Sequence, residues 1–205
     1  MMEIRVVKPC LPQPDIKEIL RYSGVRGEDD GVRLEIERLL PGLEKAVKPA
    51  ACYAELSVSF ADCEVRLGNI AVRSRSLSKL LSGADRAIIF AVTVGVGLDR
   101  EIARLGATSP ARQLLADAFG TERVEAACDW LCERFKAEYR GLPLSARFSA
   151  GYGDVPLELQ RDIFALLDCP RRIGLTLNES LLMSPSKSVT AIVGISRGKD
   201  FLAQG

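Results

Sequence analysis

RAIIFAVTVGVGLDREIARLG, residues 86–106, changes its pattern partway along. From Ala87 to Val94 every residue except Thr93 is apolar, and β-branched or aromatic side chains are frequent. Such a run, with no polar alternation, predicts a strand buried on both faces. Gly95 and Gly97 follow, and then a helix as far as Leu105. The G-x-G lacks the third glycine and the acidic partner of a dinucleotide fingerprint, so a tight turn is the preferred reading. Downstream, Ser109 is a good N-cap and Pro110 suits the first helical position. Apolar residues then recur at helical spacing through Leu114, Phe119, Val124, Leu131 and Phe135 to Tyr139. This is the longest helix of the chain, closed by Gly141. Gly120-Thr121 marks the candidate bend or break within it.

Toward the N-terminus, residues 1–84 read as a small mixed α/β region packed on the rest. Asp15 opens a short helix that Gly24 ends. Residues 29–48 carry apolar positions at roughly helical spacing, from Val32 through Leu43 to Val47, with an interruption expected at Pro41-Gly42. Tyr53, Leu56, Val58 and Phe60 predict a strand. Val65–Val72 predicts a hairpin turning at Gly68-Asn69, and residues 76–82 a short helix stopped by Gly83. Toward the C-terminus, residues 142–160 are loop-rich, 158–167 helical, and 173–177 and 189–195 strands. No internal repeat or long linker divides the chain.

The composition narrows the function. Of 205 residues, 47% are apolar, enough for a substantial core in one domain. The formal net charge is +1, so no electrostatic footprint for nucleic acid or anionic membrane is visible. No apolar run reaches the roughly 20 residues of a membrane span, and residues 1–10 lack a secretory pattern. A cytoplasmic location is therefore expected. Histidine is absent, which removes Ser-His-Asp and Cys-His catalysis and His metal sites. The six cysteines form no C-x-x-C pair. Cys128 and Cys132 share a helix face, yet one such pair makes a poor zinc site; free, mostly buried thiols and no bound metal are expected.

The segment with chemistry in it is Arg147-Phe148-Ser149-Ala150-Gly151-Tyr152-Gly153-Asp154. An arginine can clamp a carboxylate through two parallel hydrogen bonds. Small residues let a ligand approach the backbone, and a tyrosine can cover a flat ring. An amino acid joined to a nucleoside suits such a strip. On these residues alone, a glycine turn carrying a surface arginine is the preferred reading.

Arg147-x-x-x-Gly151-Tyr152 resembles the S-adenosylmethionine-binding motif of the activation domain of cobalamin-dependent methionine synthase. Two further stretches agree in order. VEAACDWLCERFKAEY, residues 124–139, resembles the helix ahead of that motif. GLTLNESLLMSPSKSVTAIVG, residues 174–194, resembles the family segment that follows it, through Gly174, Leu177, Glu179, Ser180, Met183, Pro185, Ser188 and Val189. The likeness spans roughly residues 85–195. The chain departs from the pattern at Gly153, where the family has proline. It departs again at Asn178 for threonine and Ser184 for tryptophan; Phe201 aligns loosely with a family tyrosine. No counterpart of the family's N-terminal aspartate is evident.

The resemblance implies an α+β fold, a twisted antiparallel sheet packed with helices, with residues 85–205 as the activation-domain-like core. It implies that Arg147 holds the methionine carboxylate of S-adenosylmethionine. The backbone of Ala150, Gly151 and Tyr152 would contact the ligand's amino group and adenosine, and Glu125 would lie near it. The implied role is reductive methylation of cob(II)alamin. A cobalamin-binding methionine synthase or related corrinoid protein brings the corrinoid, and a redox protein donates the electron. The chain then acts by proximity and orientation, as an accessory component with no catalytic acid, base or nucleophile of its own. The alternative is a non-catalytic docking subunit that no longer binds S-adenosylmethionine.

Overall fold

Local signals set most of the element ends. The computed structural model describes residues 3–25, 30–61 and 64–196. Strand β1 (Ile4–Val7) comes first, a short strand the pattern did not predict. Helix α1 (Ile16–Ser23) is capped by Asp15, whose carboxylate accepts from the Lys17 and Glu18 N–H, and ends at left-handed Gly24. Helix α2 is Asp30–Ala46, followed by strands β2 (Ala50–Ala61), β3 (Glu64–Leu67) and β4 (Ile70–Val72). Helix α3 (Arg75–Leu80) precedes β5 (Ala84–Thr93) and α4 (Val96–Gly106). Helix α5 (Pro110–Glu138) starts at the Ser109 cap. Then come α6 (Leu159–Leu167), α7 (Cys169–Ile173), the β6–β7 hairpin (Thr176–Leu177, Met183–Ser184) and β8 (Ser188–Ser196).

The main sheet is antiparallel, in the order β4-β3-β2-β5-β8, with β1 also on β2. Its central strand explains the unbroken apolar run. Ile88, Phe90, Val92 and Val94 enter a core shared with α1, α2, α4 and α5. Ala87, Ile89 and Ala91 enter a second core shared with α3, α6 and α7. Both faces of β5 are covered, so alternation has nothing to record. The fold is thus the expected α+β arrangement of an antiparallel sheet packed with helices.

Three expectations are corrected. Pro41 lies inside α2 and does not interrupt it. A mid-helix proline costs about 3 kcal/mol, and buried Ile36 and Leu43, packed into the first core, offset that locally. Gly120 does not break α5. It is buried, and a Cβ there would meet Lys187 Cγ at 2.9 Å and Leu98 Cδ2 at 3.0 Å, so glycine is needed for close packing. Residues 173–177 are not one strand. Pro170 sits in the first turn of α7, left-handed Gly174 caps that helix, and only Thr176–Leu177 is extended. Cys63 and Phe201 lie outside the described residues.

Candidate functional site

The loop after α5 first runs along the free edge of β8. Ser145 N–H donates to Gly194 O, and Phe148 and Ile192 exchange both backbone hydrogen bonds at 2.9 and 2.8 Å. Past Phe148 the chain leaves the sheet. Tyr152 N–H donates to Ser149 O, Gly151 N–H to Val155 O and Val155 N–H to Tyr152 O, closing a compact turn. Asp154 ties this turn to α3. Its carboxylate accepts from Ser74 Oγ at 2.6 Å and from the N–H groups of Arg75 and Ser76 at 2.7 and 3.0 Å. Those three donors, the Ser74 hydroxyl foremost, hold the Asp154 carboxyl well below the usual carboxylate range.

Departures from the family motifs have local reasons. Gly153 has φ +58°, and a Cβ there would stand 2.7 Å from Ser76 Oγ. Proline, fixed near −65°, cannot take this path across α3. Asn178 Oδ1 accepts from the Leu182 N–H at 2.9 Å, while Asn178 N–H donates to Leu182 O, so the asparagine closes the β6–β7 hairpin.

All three motif segments meet at one cleft of about 400 Å³. Helix α5 brings Glu125, the loop brings Arg147, Ala150 and Tyr152, and the third segment brings Met183, Ser188 and Val189. Arg147 and Glu125 form a close ion pair through Nη2 and Oε2, with Asp129 Oδ1 at 3.5 Å from the same nitrogen. Arg147 Nη1 is buried with no hydrogen-bond partner among the described residues. Tyr152 is 68% exposed at the rim and meets Phe148 edge-on, with ring centroids 6.4 Å apart. Gly151 itself does not line the cleft, though Ala150 and Tyr152 on either side of it do. The Gly151 N–H and that of Tyr152 are engaged within the turn.

Two lining residues escaped the sequence reading: Gln160 on α6 and Thr190 on β8. No motif marks them; one sits in a helix and the other in an apolar strand, and only the tertiary fold brings them together. Glu125 and Arg147 also border a neighbouring acidic hollow with Asp15, Glu18, Asp129 and Trp130. Behind Arg147 lies Cys128. Burial pushes its thiol up to about 12, against the pull of the Arg147 guanidinium, so it stays protonated at neutral pH. Cys10, Cys52, Cys128, Cys132 and Cys169 are free thiols. Among the described residues, no group of three or more Cys, Asp or Glu side chains could hold a metal ion. No described helix is long and apolar enough to cross a membrane.

An antiparallel sheet between two helical layers, with a cleft beside an arginine-glycine-tyrosine loop at its edge, defines a class of α+β domain. The family model described as "Vitamin B12 dependent methionine synthase, activation domain" matches residues 78–201, and the chain belongs to that family. Over 77 residues the chain is 44% identical to the methionine synthase of Mycobacterium tuberculosis (strain ATCC 25618 / H37Rv). That alignment takes in 37% of this chain and 6% of the relative, so the chain spans a small part of the relative's length. The crystal structure titled as the MetH reactivation domain bound to AdoHcy matches with a TM-score of 0.66 at 17% identity. The match covers 94% of this chain and 78% of the other, and is a likeness of fold.

Proposed function

We propose that the chain binds S-adenosylmethionine in the cleft between α5, the 147–152 loop and the edge of β8. In this reading it serves as a reactivation subunit of a cobalamin-dependent methionine synthase or a related corrinoid methyltransferase. When bound, S-adenosylmethionine supplies a methyl group for a cobalamin carried by a partner protein, with the electron coming from a separate redox protein. This chain's residues bind and orient. Arg147 takes the methionine carboxylate, the Ala150–Gly151 backbone reads polar edges, Tyr152 covers the ligand from the rim, and Glu125 steadies the guanidinium. The division into residues 1–84 and an 85–205 core belongs to the same proposal, as does a cytoplasmic setting. The family match beginning at residue 78 supports that division.

The observation that carries the reading is the unpartnered, buried Nη1 of Arg147 at the cleft. A buried donor without an acceptor is costly, and a ligand carboxylate relieves it. The cleft volume falls in the roughly 300–1,000 Å³ range of small-ligand sites. The AdoHcy-bound relative supports the ligand class. One observation favours the docking-subunit alternative: Glu125 already holds the other guanidinium nitrogen.

Isothermal titration with S-adenosylmethionine tests the reading. Arg147→Ala is expected to weaken binding by about 1.5–3 kcal/mol, the scale of a hydrogen bond to a charged group. That corresponds to roughly ten- to a hundred-fold in Kd. Arg147→Lys weakens it too, because an ammonium lacks the two-pronged geometry. Arg140→Ala, beyond the end of α5, binds normally. Equal affinity of Arg147→Ala and the natural sequence overturns the assignment, and absence of binding by the natural sequence leaves the docking subunit.

A further inference from the structure

We propose that Gln160 and Thr190 read the adenine edge of the ligand; the inference rests on the binding reading above. Both line the same cleft as Arg147. Gln160 is 6% exposed and Thr190 2% exposed. Gln160 Oε1 and Thr190 Oγ1 are both buried and have no hydrogen-bond partner among the described residues. Buried polar atoms in folded proteins are nearly always paired, so two orphans on one cleft point to a partner that enters it.

The backbone adds to this pair. Ile192 exchanges both of its hydrogen bonds with Phe148 across the outer edge of β8. In an antiparallel strand the direction of the N–H and C=O repeats every second residue. Thr190 therefore turns its N–H and C=O to the same outer side, beyond the point where the loop leaves the edge. The floor then offers an amide acceptor, a hydroxyl that both donates and accepts, and a backbone donor and acceptor.

Adenine presents a complementary edge, an amino donor beside ring-nitrogen acceptors. Gln160 Oε1 accepts from the exocyclic amino group, and the Thr190 hydroxyl or N–H donates to a ring nitrogen. Phe148, Ala150, Met183 and Val189 give the cleft apolar surface for a flat ring. Arg147 is the single cation among the described lining residues, so the carboxylate end of the ligand has one place to go.

The test compares two probes by titration: S-adenosylhomocysteine, and its analogue with hydrogen in place of the 6-amino group. The natural sequence is expected to prefer the adenine compound by about tenfold, the worth of one well-placed hydrogen bond. In Gln160→Leu the ratio falls toward one, chiefly through weaker binding of the adenine compound. Thr190→Val weakens both probes. A ratio near one in the natural sequence overturns the inference, and this arm needs no variant to fold. An unchanged ratio in a folded Gln160→Leu protein overturns it as well. In both cases binding itself persists, so the parent reading stands. Absence of binding by the natural sequence overturns both readings together.

Discussion

Gly153 and Asp154 show how single residues hold the motif loop. Gly153 sits in the left-handed region against Ser76. Gly153→Ala is expected to lower stability by about 1–2 kcal/mol, the cost of a left-handed alanine, measured by urea unfolding. Gly153→Pro is worse, since its φ is out of reach, and it releases the loop from α3. Asp154 makes the loop's anchor pH-dependent. Its folded pKa is depressed, so its contribution is complete above the unfolded value of about 3.9. That contribution is lost as pH falls through the folded value. Melting temperatures taken from pH 6 down to pH 2 should therefore drop more steeply below about pH 4 for the natural sequence than for Asp154→Asn; parallel curves would remove the anchor from the account. Arg147 and the glycine-tyrosine strip were legible as a candidate site only through their resemblance to a family motif, since on residue types alone they read as a glycine turn with a surface arginine; Glu125 entered through the same resemblance. Gln160 and Thr190 were not legible, because their meaning is set by burial and by missing partners, which no spacing encodes.

At the scale of elements, the buried Glu122–Arg123 pair fastens the N-terminal segment to α5. The two side chains are 7% and 4% exposed and form a close ion pair. Arg123 also donates to Pro12 O at 2.6 Å, and Glu122 accepts from Asp15 N–H at 3.3 Å. Removing one partner of a buried pair leaves an uncompensated charge. Arg123→Met is therefore expected to lose about 3–5 kcal/mol in urea unfolding, with part recovered in the Glu122→Gln, Arg123→Met double variant. No recovery would mean that the two side chains act independently. Helix ends such as Asp15, Gly24 and Ser109 could be read from sequence, because caps act locally. Pro41 and Gly120 misled, because tertiary packing decides whether a breaker breaks. Strands β1 and β7 are four and two residues long and carry too little pattern to register.

Across the whole molecule, three stretches far apart in sequence converge because β8 closes the sheet beside β5 and leaves its outer edge to the loop after α5. The sheet divides two helical layers, and the cleft forms at its rim, where α5 on one face and α6 on the other both reach the β8 edge. The site is therefore a product of topology, with each layer supplying one wall. The rim of the cleft is open at Tyr152, which is 68% exposed. The central claim is that this cleft holds S-adenosylmethionine. Amide chemical-shift mapping of the isotope-labelled chain during titration with S-adenosylmethionine tests it most directly. The account predicts saturable shifts concentrated at Ala150, Gly151, Tyr152 and Thr190; shifts confined to the acidic hollow around Asp15 and Trp130, or none at all, would contradict it.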